Sequence, residues 1–129
     1  MTEEQVNELL AGMISMYAPK FGRSMNRKVA LKLAMSRVEE QVRTVGGDTY
    51  ALAKTAFSEC GAILEENPED HIIAGVILSG VANMNPAFLL LRIEGDTIQL
   101  TACAKEGLIK QHTAERAVEA FKSALREKG

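Results

Sequence analysis

Val6, Leu9, Leu10, Met13, Ile14 and Tyr17 recur at spacings of three and four, which puts all six on one face of a helix. Thr2 and Gln5 supply a capping box at its start, and Pro19 followed by Gly22 ends it near Ala18. A second apolar stripe, Ala30, Leu31, Ala34, Met35, Val38, Val42 and Val45, predicts a helix from Ser24 or Asn26 to the Gly46-Gly47 pair. Lys28, Lys32, Glu39 and Arg43 occupy its other side, with Glu39 and Arg43 one turn apart and able to pair. Val29 and Leu33 fall outside the main stripe and suggest a second contact surface. A third helix is predicted from Asp48 or Thr49 through Tyr50, Ala53, Ala56, Phe57, Cys60, Ile63 and Leu64 to Glu66, where Asn67-Pro68 stops it.

The stretch from His71 to Ala82 reads two ways. Asn67-Pro68-Glu69-Asp70 is a good helix start, yet Ile72, Ile73, Val76, Ile77 and Val81 are β-branched and Gly75 and Gly80 weaken a helix. The following segments favour a strand, because Ala87 to Ile93 and Thr97 to Cys103 form a hairpin around Glu94-Gly95-Asp96, and a lone two-stranded hairpin is marginal in water. The first hairpin strand is apolar on both faces, with Phe88 and Leu90 on one and Leu89, Leu91 and Ile93 on the other. Such a strand belongs in the middle of a sheet covered on both sides, or on one covered by a partner subunit. In the second strand Ile98, Leu100 and Ala102 point inward and Thr97, Gln99 and Thr101 outward, toward solvent. A last helix starts at Thr113 and carries Ala114, Ala117, Val118, Phe121 and Leu125 on one stripe. The expected architecture is one α+β domain over residues 1–129: three N-terminal helices, a short antiparallel sheet of two or three strands with its hairpin at 87–103, and a C-terminal helix.

The 129 residues are 47% hydrophobic and 25% charged, which excludes a disordered or low-complexity chain and suits a single domain with a packed core. Two cysteines without a CxxC pair argue for a reducing compartment, and an acidic N-terminus argues against a signal peptide, so the expected location is the cytoplasm. The longest apolar run, Ile72 to Ala82, is well short of the roughly 20 residues a membrane-spanning helix needs. Net charge is −2, but it is segregated: residues 18–38 carry Lys20, Arg23, Arg27, Lys28, Lys32 and Arg37 and no acid, between two acidic stretches.

That basic stretch is the one electrostatic anomaly. Arg23, Ser24, Arg27, Lys28 and Lys32 surround a helix start, where free N–H groups and the helix dipole attract anions, so a phosphate or nucleic-acid contact is a candidate role. The simpler account is that these bases offset the acids of the neighbouring helices, and the acidic total charge agrees with it. Other chemistry has less support. Cys60, His71, Cys103 and His112 are singletons, unlike the close pairs of zinc sites, so no metal and no cofactor are expected. Cys60 lies on an apolar stripe and reads as core; Cys103, near Lys105, lacks a base that the sequence places beside it. Glu65-Glu66 and Glu69-Asp70 flank a turn and read as solvated charge, and Gly75 and Gly80 match no nucleotide-binding pattern.

No reaction is specified by these residues, and an enzyme is the least supported class. The expected role is self-association and protein contact, through an interface drawn from Val29, Leu33, Phe88 and Leu90. A homo-oligomer is the expected state, another protein is an alternative partner, nucleic acid is a less favoured one, and no membrane contact is expected.

Overall fold

The computed structural model describes residues 1–21, 26–79, 85–104 and 112–128. In chain order they form α1 (Glu3–Tyr17) with a 3₁₀ turn at Ala18–Phe21, α2 (Arg27–Met35), β1 (Val38–Arg43), α3 (Thr49–Cys60), β2 (Ala62–Asn67), β3 (Ile72–Ser79), β4 (Asn85–Glu94), β5 (Thr97–Ala104) and α4 (Thr113–Lys128). The strands make one antiparallel sheet in the order β1-β5-β4-β3-β2, so β4 is central and β1 and β2 are its edges. Helices α1 and α2 cover one face, α3 and α4 the other. This corrects the expected architecture: α1 and α2 are followed by a strand rather than leading into a third consecutive helix, and the sheet has five strands rather than two or three.

The added strands come from the tails of two expected helices. Thr2 and Gln5 close the capping box of α1, whose Val6, Leu10, Ala11, Met13 and Ile14 are buried. Asn26 caps α2 by accepting from the Val29 N–H at 2.8 Å, but α2 ends at Met35 instead of reaching Gly46. From Val38 onward the residues Val38, Glu40 and Val42 alternate in burial with Glu39, Gln41 and Arg43. Valines four apart fit a helical stripe and also one face of a strand, and here pairing with β5 supplied the partner that decides between them. Met35 and Val45, assigned by the helical reading to a buried stripe, are 63% and 95% exposed. Glu39 and Arg43 do not pair with each other; Glu39 meets Arg37 and Arg43 meets Asp96.

The third helix is shorter than expected. Asp48 caps α3 by accepting from Ala51 N–H, and the helix ends at Cys60, after which Gly61 is extended and lies close against β3. A Cβ on Gly61 would lie 2.4 Å from the Val76 carbonyl oxygen. Ile63, Leu64 and Glu66 therefore belong to β2, which pairs with β3 and carries a register shift between Ile63 and Glu65. Residues 72–79 are a strand, the favoured of the two readings; residues 80–82 lie outside the described residues.

Each hairpin strand now has a defined environment. β4 and β5 turn through Gly95-Asp96, with Gly95 at φ 61, a conformation that suits glycine at the first position of a two-residue loop. On β4, Ala87, Leu89, Leu91 and Ile93 join Phe57 and Phe121 beneath α3 and α4, while Phe88 and Leu90 join Leu10, Met13 and Ile14 beneath α1 and α2. The two-faced strand is thus covered by helices of its own chain. The outward face of β5 is only partly wet: Thr101 and Cys103 are fully buried under the first helical layer, whereas Thr97 and Gln99, farther along, are half-exposed.

Candidate interaction surface

Of the residues expected to hold an anion, Arg23 and Ser24 lie outside the described residues. Arg27 opens α2 and forms an ion pair with Glu8 of α1; Lys28 and Lys32 are exposed on the same helix. Arg37 is largely buried and is bonded to Glu3, Asn7 and Glu39. Lys20 stands over the Tyr17 ring, 4.9 Å from its centroid. Two of these bases therefore act between α1, α2 and β1.

The four expected interface residues do not share one surface. Val29 is 44% exposed on α2, Leu33 is half-buried against the core under α1, and Phe88 and Leu90 are 1% and 0% exposed.

Among the described residues no cluster of three or more His, Cys, Asp or Glu side chains could hold a metal. Glu66 accepts from the Tyr50 hydroxyl at 2.8 Å and pairs with Lys54 at 3.0 Å, and the Tyr50 bond, more than the Lys54 one, holds its carboxyl below the usual range. Partial burial, then the Glu66 carboxylate, pushes the Tyr50 hydroxyl up to about 12. His71, at φ 57, lies beside the Tyr50 ring, and His112 beside Glu115. Burial pushes the Cys60 thiol up to about 11 and the Cys103 thiol up to about 12. Lys105, expected near Cys103, lies outside the described residues. Since the thiolate is the reactive form, both cysteines should react with a disulfide reagent at pH 8 at least about tenfold more slowly than free cysteine, and at the ordinary rate once unfolded in denaturant. Fast labelling of the folded protein would contradict this account.

Among the described residues, an uncovered apolar surface lies at the C-terminal end of β1. Thr44 continues the ladder, its N–H donating to the Asp96 carbonyl at 2.8 Å, and its hydroxyl lies 2.8 Å from that of Thr49. Gly46 and Gly47, at φ 70 and 78, then reverse the chain into the Asp48 cap, leaving Val45 projecting into solvent. Between this turn and the helices is a groove of about 430 Å³, walled by Val42, Val45, Leu52 and Leu125 and rimmed by Arg43, Lys122 and Arg126. That volume is in the range of ligand and side-chain clefts. Lys122 is tied to Glu40 and Glu119, the Glu40 bond contributing most to raising its pKa. Arg43 holds Asp96 at 3.1 Å in an exposed pair. The sequence signal for this surface was a valine directly before a double glycine and the V-E-E-Q-V-R alternation; both were absorbed by the helical reading of 26–46.

No protein-family model and no curated protein matches the chain. Among the described residues, no helix is long and apolar enough to cross a membrane. A functional reading therefore rests on the chain's own geometry.

Proposed function

We propose that this chain is a self-association and protein-contact module whose working surface is the β1 end of the sheet. The observation that carries the reading is the conjunction there of an edge strand, an apolar groove and a valine that is 95% exposed. Apolar surface beside an unpaired strand is what an interface covers on association, since a free edge offers N–H and C=O groups to another strand. The two-faced strand β4 does not enter this reading, because α1 to α4 already cover it.

The expected result is a dimer or larger species at micromolar concentration by sedimentation equilibrium, with on the order of 1,600 Å² buried in total. A protein that stays monomeric up to millimolar concentration refutes the reading.

A further inference from the structure

We propose that two copies of the chain join their sheets by antiparallel pairing of β1 with β1, centred on Gln41, with Glu39 of each copy opposite Arg43 of the other. The proposal rests on the self-association reading and names its surface.

The register follows from the phase of the existing ladder. In an antiparallel pair, residues directly opposite alternate between exchanging both N–H···O=C bonds and exchanging none. Thr44 N–H donates to the Asp96 carbonyl, and Thr44 and Asp96 continue the β1–β5 register, so the even-numbered residues of β1 bond to β5. The N–H and C=O groups of Glu39, Gln41 and Arg43 consequently point away from the sheet along its edge. A second copy related by a two-fold axis must bring its own outward residues against these.

Three centres satisfy that condition near the middle of the strand. Centring on Glu40 sets Arg43 against Arg37, two like charges, and centring on Val42 sets Glu39 against Val45. Centring on Gln41 matches all three outward residues of one strand with all three of the other. Each of those three pairs exchanges two bonds, which makes six in all. It also sets Glu39 against Arg43 twice, once at each end, with Gln41 against Gln41 between them. Opposite charges directly across a strand pair stabilise it, and like charges oppose it. Glu39, Gln41 and Arg43 are exposed on one sheet face; to take part, Arg43 gives up an exposed, screened pair with Asp96, and Glu39 gives up or shares its bond to Arg37, which keeps Glu3 and Asn7 as partners. The same register lays the Thr44-Val45 end of one strand beside the Arg37-Val38 start of the other, so the exposed Val45 and Met35 fall at the same ends of the interface.

The other edge of the sheet is built differently. β2 has a register shift between Ile63 and Glu65, and its Glu66 side chain is held by Tyr50 and Lys54. Bulges and fixed charge blunt an edge, whereas β1 runs without a shift from Val38 to Arg43.

The test is sedimentation equilibrium of the full chain and four variants, with thermal melts of each. Gln41→Pro removes an N–H that points to solvent in the monomer, so the melt should be retained while dimerisation is lost. Glu39→Arg and Arg43→Glu each place like charges opposite one another at both ends and should weaken association about tenfold. The combined Glu39→Arg/Arg43→Glu exchange restores opposite charges and should return association to within about threefold of the unmodified chain, a rescue that loss of folding cannot imitate. If the unmodified chain dimerises and the single reversals and Gln41→Pro dimerise equally well, the β1 pairing is overturned and self-association stands. Dimers weakened by either reversal but not rescued by the exchange also overturn the stated register. A chain that does not associate at all overturns both; should Gln41→Pro fail to fold, the charge exchange decides.

Discussion

Phe88→Ala is expected to lower the folding stability of the isolated chain by about 3–5 kcal/mol, the range for deleting a buried aromatic ring. Phe88 is 1% exposed and belongs to the cluster that α1 and α2 make with Ala74, Val76, Leu90 and Cys103. Removing the ring takes away its transfer free energy and leaves a void that helices packed on a sheet close only in part. The measurement is denaturant unfolding at a protein concentration low enough to be monomeric, where the midpoint should fall without a large change in slope. The alternative role, a contact between subunits, has a different signature: stability loss that depends on protein concentration, with a monomer as stable as before. That outcome would remove Phe88 from the core and reopen the sheet face as an interface.

Gly75→Ala should be nearly as damaging, about 3 kcal/mol and on the order of 10 °C in melting temperature, although it adds a single methyl group. A Cβ at this position would sit 2.1 Å from the Ala62 carbonyl oxygen and 2.9 Å from a carbon of the Phe57 ring. The first of these is backbone of the neighbouring strand β2 and cannot rotate away, so either β2 separates from β3 or α3 lifts from the sheet. Gly12 is the internal comparison. It lies in the middle of α1 with nothing within 4 Å of an added Cβ, so Gly12→Ala should raise stability by up to about 1 kcal/mol through helix propensity. A Gly75→Ala protein within about 0.5 kcal/mol of the original would mean that β2 and α3 sit more loosely on β3 than the close approach implies.

These two sites also mark where sequence reasoning stops. The two-sided apolar pattern of β4 correctly required cover on both faces, but nothing in the pattern distinguishes a helix of the same chain from a second subunit. Long-range placement of α1 and α2 settled it, and with it the fate of Phe88 and Leu90. Gly75 read as a helix breaker or a site of close packing; only the position of Ala62 across the strand pair tells which.

Local signals determined the elements whose partners are close in sequence. The Thr2–Gln5 capping box, the stripe of α1, the Gly95-Asp96 turn and the stripe of α4 are all decided by residues within a few positions of one another, where side-chain spacing and backbone preference act directly. The two edge strands were decided by the tertiary structure. Val38, Val42 and Val45 satisfy a helical face, and Ile63 and Leu64 extend the stripe of α3, until β5 and β3 offer a ladder that a helix cannot use. Pairing 38–43 with 97–102 depends on a contact about sixty residues away along the chain, and its free energy is invisible to any window of the sequence. Because the candidate interface is the outer side of β1, it inherits that dependence: the charges of Glu39 and Arg43 were visible from the start, but their common edge and outward phase arose only when β1 took its place beside β5.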